Sequence, residues 1–124
     1  MKITDLKPTI VWKFFHQVTQ VPRPSKKEGK MIEFLESFAK EYKIAIKKDE
    51  AGNLLMSKPA TPGMEDRPVV VLQSHMDMVC EKNNGTKHDF DNDPIETIVD
   101  GEWLRANGTT LGADNGIGVA VSYT

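Results

Sequence analysis

The run Val69-Val70-Val71-Leu72, closed by His75-Met76-Asp77, constrains this chain most. Consecutive apolar side chains do not alternate between a wet and a dry face. Val69 to Gln73 therefore predicts a strand covered on both sides. Strands of that kind sit in sheets with helices packed against them, so the expected fold class is α/β, with a mixed sheet flanked by helices. Open α/β sheets place ligands beyond the C-terminal ends of their strands, and the run ends there in a histidine and an aspartate.

The rest of the chain supplies helices and further strands. Ile10, Val11, Phe14, Phe15 and Val18 recur at helical spacing between about Pro8 and Thr19. Val21-Pro22-Arg23-Pro24 breaks that helix, because proline lacks an amide proton and disfavours helix before itself. Ser25 and Glu28 have the spacing of a capping box. The helix they would start carries Met31, Ile32, Leu35, Phe38, Ala39 and Tyr42 along one side. The period then changes to two: Ile44 and Ile46, a turn at Ala51-Gly52-Asn53, and Leu54-Leu55-Met56 predict a strand pair. Thr61 to Arg67 reads as a loop, and Glu81 to Asp93 as a long polar one. Ile95 to Val99 and Glu102 to Arg105, joined at Asp100-Gly101, predict a hairpin. Gly116 to Tyr123 begins a helix of small apolar residues. The 124 residues are enough for one modest domain with its own core.

Three residues carry the chemistry. His75 and Asp77 are two apart, so in a strand they point to the same side. A neutral imidazole is a good zinc ligand, and a neighbouring carboxylate fixes its tautomer and raises its basicity. Asp114 lies between Gly112 and Gly116, in backbone that lets a ligand approach closely. Its two oxygens suit it to bridging a pair of metal ions. The plainer alternative is that Asp114 caps the helix that follows, and spacing alone favours the cap. His16 reads as structural and His88 as a solvated loop residue. Cys80 has no partner pattern that would make it a nucleophile. The glycines from Gly112 to Gly118 match neither a Walker loop nor a dinucleotide fingerprint, so phosphate binding is not expected.

Charge and cysteine content exclude other classes. A net charge of −2 gives no reason to expect nucleic acid or an anionic membrane as partner. One cysteine forms no internal disulfide, and no apolar run is long enough to span a bilayer. Met1 to Pro8 lacks the apolar core of a signal peptide. The expected location is the cytoplasm.

Several segments resemble the aminoacyl-histidine dipeptidases, a cytosolic, carnosinase-like branch of the zinc peptidases that include aminoacylase and glutamate carboxypeptidase. They are Val21 to Ser25, Gln73 to Lys82, His88-Asp89-Phe90, Asp93-Pro94-Ile95 and Thr109 to Val119. The resemblance runs in order along essentially the whole chain. It implies that His75 binds one zinc, that Asp77 is the catalytic-site residue orienting His75, and that Asp114 bridges two zincs, with a cis peptide often following it. Manganese or cobalt are alternatives to zinc. It further implies a small peptide substrate, hydrolysis of dipeptides with C-terminal histidine by a metal-activated water, and a homodimer. Substrate-binding residues are not assigned.

The family's Glu-Glu pair, a further carboxylate ligand, a distal histidine and a lid domain would fall beyond Thr124. The expectation is thus the N-terminal portion of a peptidase catalytic domain, without activity alone and prone to self-association through an unpaired apolar edge. Three rivals remain: a broader di- or tripeptidase, a non-catalytic self-associating α/β module, and a cysteine hydrolase using Cys80.

Overall fold

A computed structural model describes residues 1–124. A 3-10 turn at Ile3–Asp5 leads into α1 (Thr9–Thr19), followed by α2 (Gly29–Glu41). Next come β1 (Ala45–Lys48), β2 (Leu54–Ser57), β3 (Thr97–Asp100), β4 (Trp103–Ala106) and α3 (Ala113–Ser122). The chain forms two compact units, one of Met1–Met31 with Gln73–Thr124 and one of Ile32–Leu72. No helix is long and apolar enough to cross a membrane.

In the first unit α1 packs against α3, and Phe14 meets Tyr123 edge-on with ring centroids 6.3 Å apart. Phe14, Phe15 and Val18 of α1 are buried, as are Val119 and Ala120 of α3. Phe14, Phe15 and Val18 are the inner part of the stripe expected from the sequence, whereas Ile10 at its start is exposed. Burial pushes the Tyr123 phenol well above its ordinary value. Where α1 ends, the Ile95 amide donates to Thr19 O at 2.9 Å, which anchors the approach to β3. Strands β3 and β4 pair antiparallel from Thr97 opposite Ala106 to Asp100 opposite Trp103, giving the expected hairpin with its tight turn at Gly101.

The second unit holds the other hairpin, β1 against β2, with Ala45 opposite Ser57 and Lys48 opposite Leu54. Asp49 organises its turn. One carboxylate oxygen accepts the Ala51 and Asn53 amides at 3.0 and 2.8 Å, and the other accepts the Asn53 side chain at 2.8 Å. Gly52 sits at φ +89, where a Cβ would come 3.3 Å from Ile32 Cδ1, so helix and turn are closely packed. Met31, Leu35, Phe38 and Ala39 form the buried stripe of α2.

Two local expectations are corrected. Ser25 and Glu28 do not form a capping box on α2, which begins at Gly29. Glu28 accepts the Lys26 amide instead, and the Ser25 hydroxyl is engaged elsewhere. Val69 to Gln73 is not a buried strand, because a strand exists only by pairing and none of β1 to β4 pairs with it. Its side chains Val69 to Leu72 are 67–90% exposed. The chain is α/β, but its strands form two separate antiparallel pairs, not one mixed sheet.

Candidate functional site

Although residues 73–77 belong to no strand, the structure brings His75, Asp77 and Asp114 together. His75 Nδ1 lies 3.0 Å from Asp77 Oδ1, and His75 Nε2 lies 2.9 Å from Asp114 Oδ1. The ring is gripped at both nitrogens. Partial desolvation pulls the imidazole pKa down, but the hydrogen bonds to Asp114 and Asp77 outweigh it and hold the value above that of an ordinary histidine. Asp77 is held low, chiefly by the Ser25 hydroxyl, which donates to its Oδ2 at 2.5 Å, and then by His75.

The cap alternative for Asp114 is decided by the neighbouring residue. The Gly118 amide donates to Asn115 Oδ1 at 3.1 Å, so Asn115 closes the start of the helix. Asp114 makes no cap bond; its side chain is 96% exposed apart from its contact with His75. Asp114 and Asn115 have non-helical backbone angles, and the peptide between them is cis.

Two threonines bring the second segment to the first. Thr110 Oγ1 donates to Val79 O at 2.8 Å, and the Thr110 amide donates to Glu81 O at 2.9 Å. Lys82 and Thr109 form a further antiparallel bridge. On the other side, Pro24 bridges Met78 in parallel, with the Met78 amide donating to Arg23 O at 3.0 Å and the Ser25 amide to Met78 O at 3.3 Å. The His75–Asp77 segment is thus held between Arg23–Ser25 and Thr109–Asp114.

Arg23 and Ser25 are site residues to which the sequence reading assigned no role in the site. Ser25 was read as a helix cap. Arg23 sits between prolines, a context that reads as a wet turn, yet it is 1% exposed. The remaining candidates stay apart. His88 stacks edge-on against Phe90 at 4.5 Å, and the Cys80 thiol, pushed up by burial, contacts Met78 O. Neither joins the His75 cluster.

A zinc ion can be tested against this geometry. An imidazole nitrogen and a carboxylate oxygen on one tetrahedral zinc lie about 3.3 Å apart, within a few tenths of an ångström of the observed 2.9 Å. Asp77 faces the other ring nitrogen, as the carboxylate partner of a metal-bound histidine does. The donors fit zinc in type and spacing. They are only two, and no group of three or more His, Cys, Asp or Glu side chains in the chain is arranged to hold a metal.

In both sequence and fold the chain is similar to dipeptidases, in line with the residue resemblance. It is 50% identical over 119 residues to the cytosol non-specific dipeptidase of Escherichia coli (strain K12). That alignment covers 96% of this chain and 24% of the relative. The crystal structure of aminoacylhistidine dipeptidase from Vibrio alginolyticus superposes with a TM-score of 0.95 at 48% identity, over 98% of this chain and 25% of that one. A tripeptidase from Staphylococcus aureus shares the fold, with a TM-score of 0.74 at 22% identity over 92% of this chain and 30% of that one. The chain therefore spans about a quarter of the length of the dipeptidases it matches. No family model matches it.

Proposed function

We propose that this chain contributes His75 and Asp114 as two protein donors to a dinuclear zinc centre, with Asp77 orienting His75. We further propose that the whole protein, at the length of its relatives, is a cytoplasmic, homodimeric dipeptidase acting on dipeptides, typically Xaa-His. The observation that carries this reading is the His75 ring held between Asp77 and Asp114, in a chain homologous to dipeptidases. When bound, the metal supplies Lewis-acid polarisation of the scissile carbonyl. The protein's part is to present a neutral imidazole with Nε2 free to ligate, which the Asp77 contact at Nδ1 favours. Manganese or cobalt would suit the same donors.

The 124 residues alone are not expected to hydrolyse peptides. Asp77 is committed to His75 and Ser25, and Asp114 to His75, which leaves neither free to act as general base. A broader di- or tripeptidase range is the second reading, favoured by the similarity to the non-specific dipeptidase of Escherichia coli. Zinc titration by calorimetry, with His75→Ala and Asp114→Ala alongside, tests the metal reading. Binding that is lost in both variants supports it; no binding, or binding indifferent to both substitutions, overturns it.

A further inference from the structure

Arg23 is the largest of the fully buried side chains, and nothing about the proposed zinc ligands requires it. Its guanidinium makes no ion pair; its two terminal nitrogens bond to backbone carbonyls of the two segments that carry His75 and Asp114. Nη2 donates to Gly112 O at 2.9 Å. Nη1 lies 3.4 Å from Met76 O and 3.4 Å from Asp77 O, longer and weaker contacts that share one donor. Nε is buried without a partner. The Arg23 carbonyl also accepts the Met78 amide, so both its backbone and its side chain grip the His75 segment.

The glycines around Asp114 fit this arrangement. A Cβ on Gly112 would stand 2.5 Å from Arg23 Nη2, and one on Gly116 would stand 2.8 Å from the same nitrogen. The Gly116 position also abuts Phe15 Cε2 at 3.0 Å and Val18 Cγ1 at 3.3 Å. The guanidinium is thus seated between the two glycines that flank Asp114, near the apolar face of α1. A buried cation without a carboxylate in contact is costly, and a methionine would fill such a slot more cheaply. What arginine adds is a rigid planar fork that fixes several carbonyls at once.

We propose that Arg23 is the positioning residue of the half-site: its buried guanidinium ties the Met76–Asp77 backbone to Gly112 and so sets the separation of His75 from Asp114. This inference rests on the zinc reading for its consequence, but not for its geometry. Lysine keeps the charge and loses the fork, so Arg23→Lys is the informative variant.

Two readouts separate the claims. In the unmodified chain, NMR at low temperature should show Arg23 Nη protons restricted in rotation and in contact with Gly112; a freely rotating guanidinium overturns the proposal with no variant needed. In Arg23→Lys that retains its helical circular dichroism, contacts from the His75 ring to residues 113–116 should disappear, and zinc affinity should fall at least tenfold. Unchanged ring contacts with zinc affinity within twofold of the parent chain would refute Arg23 as a positioning residue while leaving the metal reading intact. Restricted Nη protons in a chain that binds no zinc would sustain the positioning and remove the metal reading.

Discussion

At the scale of single residues, the site is defined by which carboxylate meets which ring nitrogen of His75. Asp77 occupies Nδ1, and Asp114 faces Nε2. In the metal-free chain these contacts raise the imidazole pKa against the pull of desolvation. A raised folded value means that folding favours the imidazolium. The stabilisation is therefore full below the ordinary histidine value of about 6.5 and fades as pH rises through the raised value. Asp114→Asn removes one of the two acidic partners, so His75 should then titrate at lower pH, closer to an ordinary histidine; an unmoved NMR titration curve would show that the contact is not made in solution. On the proposed reading, Asp77 acts through the ring and not on the metal. By the usual effect of such carboxylate partners, Asp77→Asn should weaken zinc binding by about 10–100-fold without abolishing it, as calorimetry would show. Complete loss would make Asp77 a ligand.

At the scale of elements, local sequence decided most of the fold. The stripes of α1 and α2 and the two hairpins were legible because each depends on residues a few positions apart. The Asp49 turn is a case: its carboxylate is held low, first by the Asn53 side chain and then by the Asn53 amide. The support it gives is present above the ordinary aspartate value and lost as pH falls through the depressed one. Asp49→Ala should speed amide exchange in β1 and β2 while leaving β3 and β4 unchanged. Val69 to Gln73 was misread because its apolar composition says what a strand needs, whereas pairing depends on partners that the local sequence does not specify. Arg23 was missed for the opposite reason. A charged side chain is seldom buried, and its carbonyl partners lie 53 to 89 residues away. Its sequence traces are its place in the Val21–Ser25 segment that resembles the dipeptidases and the pair of glycines flanking Asp114. Gly112 sits at φ +71 beneath the guanidinium, so Gly112→Ala should cost about 1–3 kcal/mol from the backbone conformation alone, measured by chemical denaturation. A smaller loss would mean that the turn relaxes easily.

At the scale of the whole molecule, the chain has the fold of about a quarter of a dipeptidase, with His75 and Asp114 in contact. Its Val69–Leu72 run is exposed, and unpaired apolar backbone invites association. Sedimentation velocity should show concentration-dependent self-association that Val70→Lys reduces. A monomer at high concentration in both forms would count against that expectation. The central claim, that His75 and Asp114 converge as zinc donors, is tested most directly by anomalous diffraction at the zinc edge from crystals grown with zinc. The account requires a peak within ligand distance of both His75 Nε2 and an Asp114 carboxylate oxygen. Well-ordered His75 and Asp114 side chains with no anomalous peak between them, at saturating zinc, would contradict it.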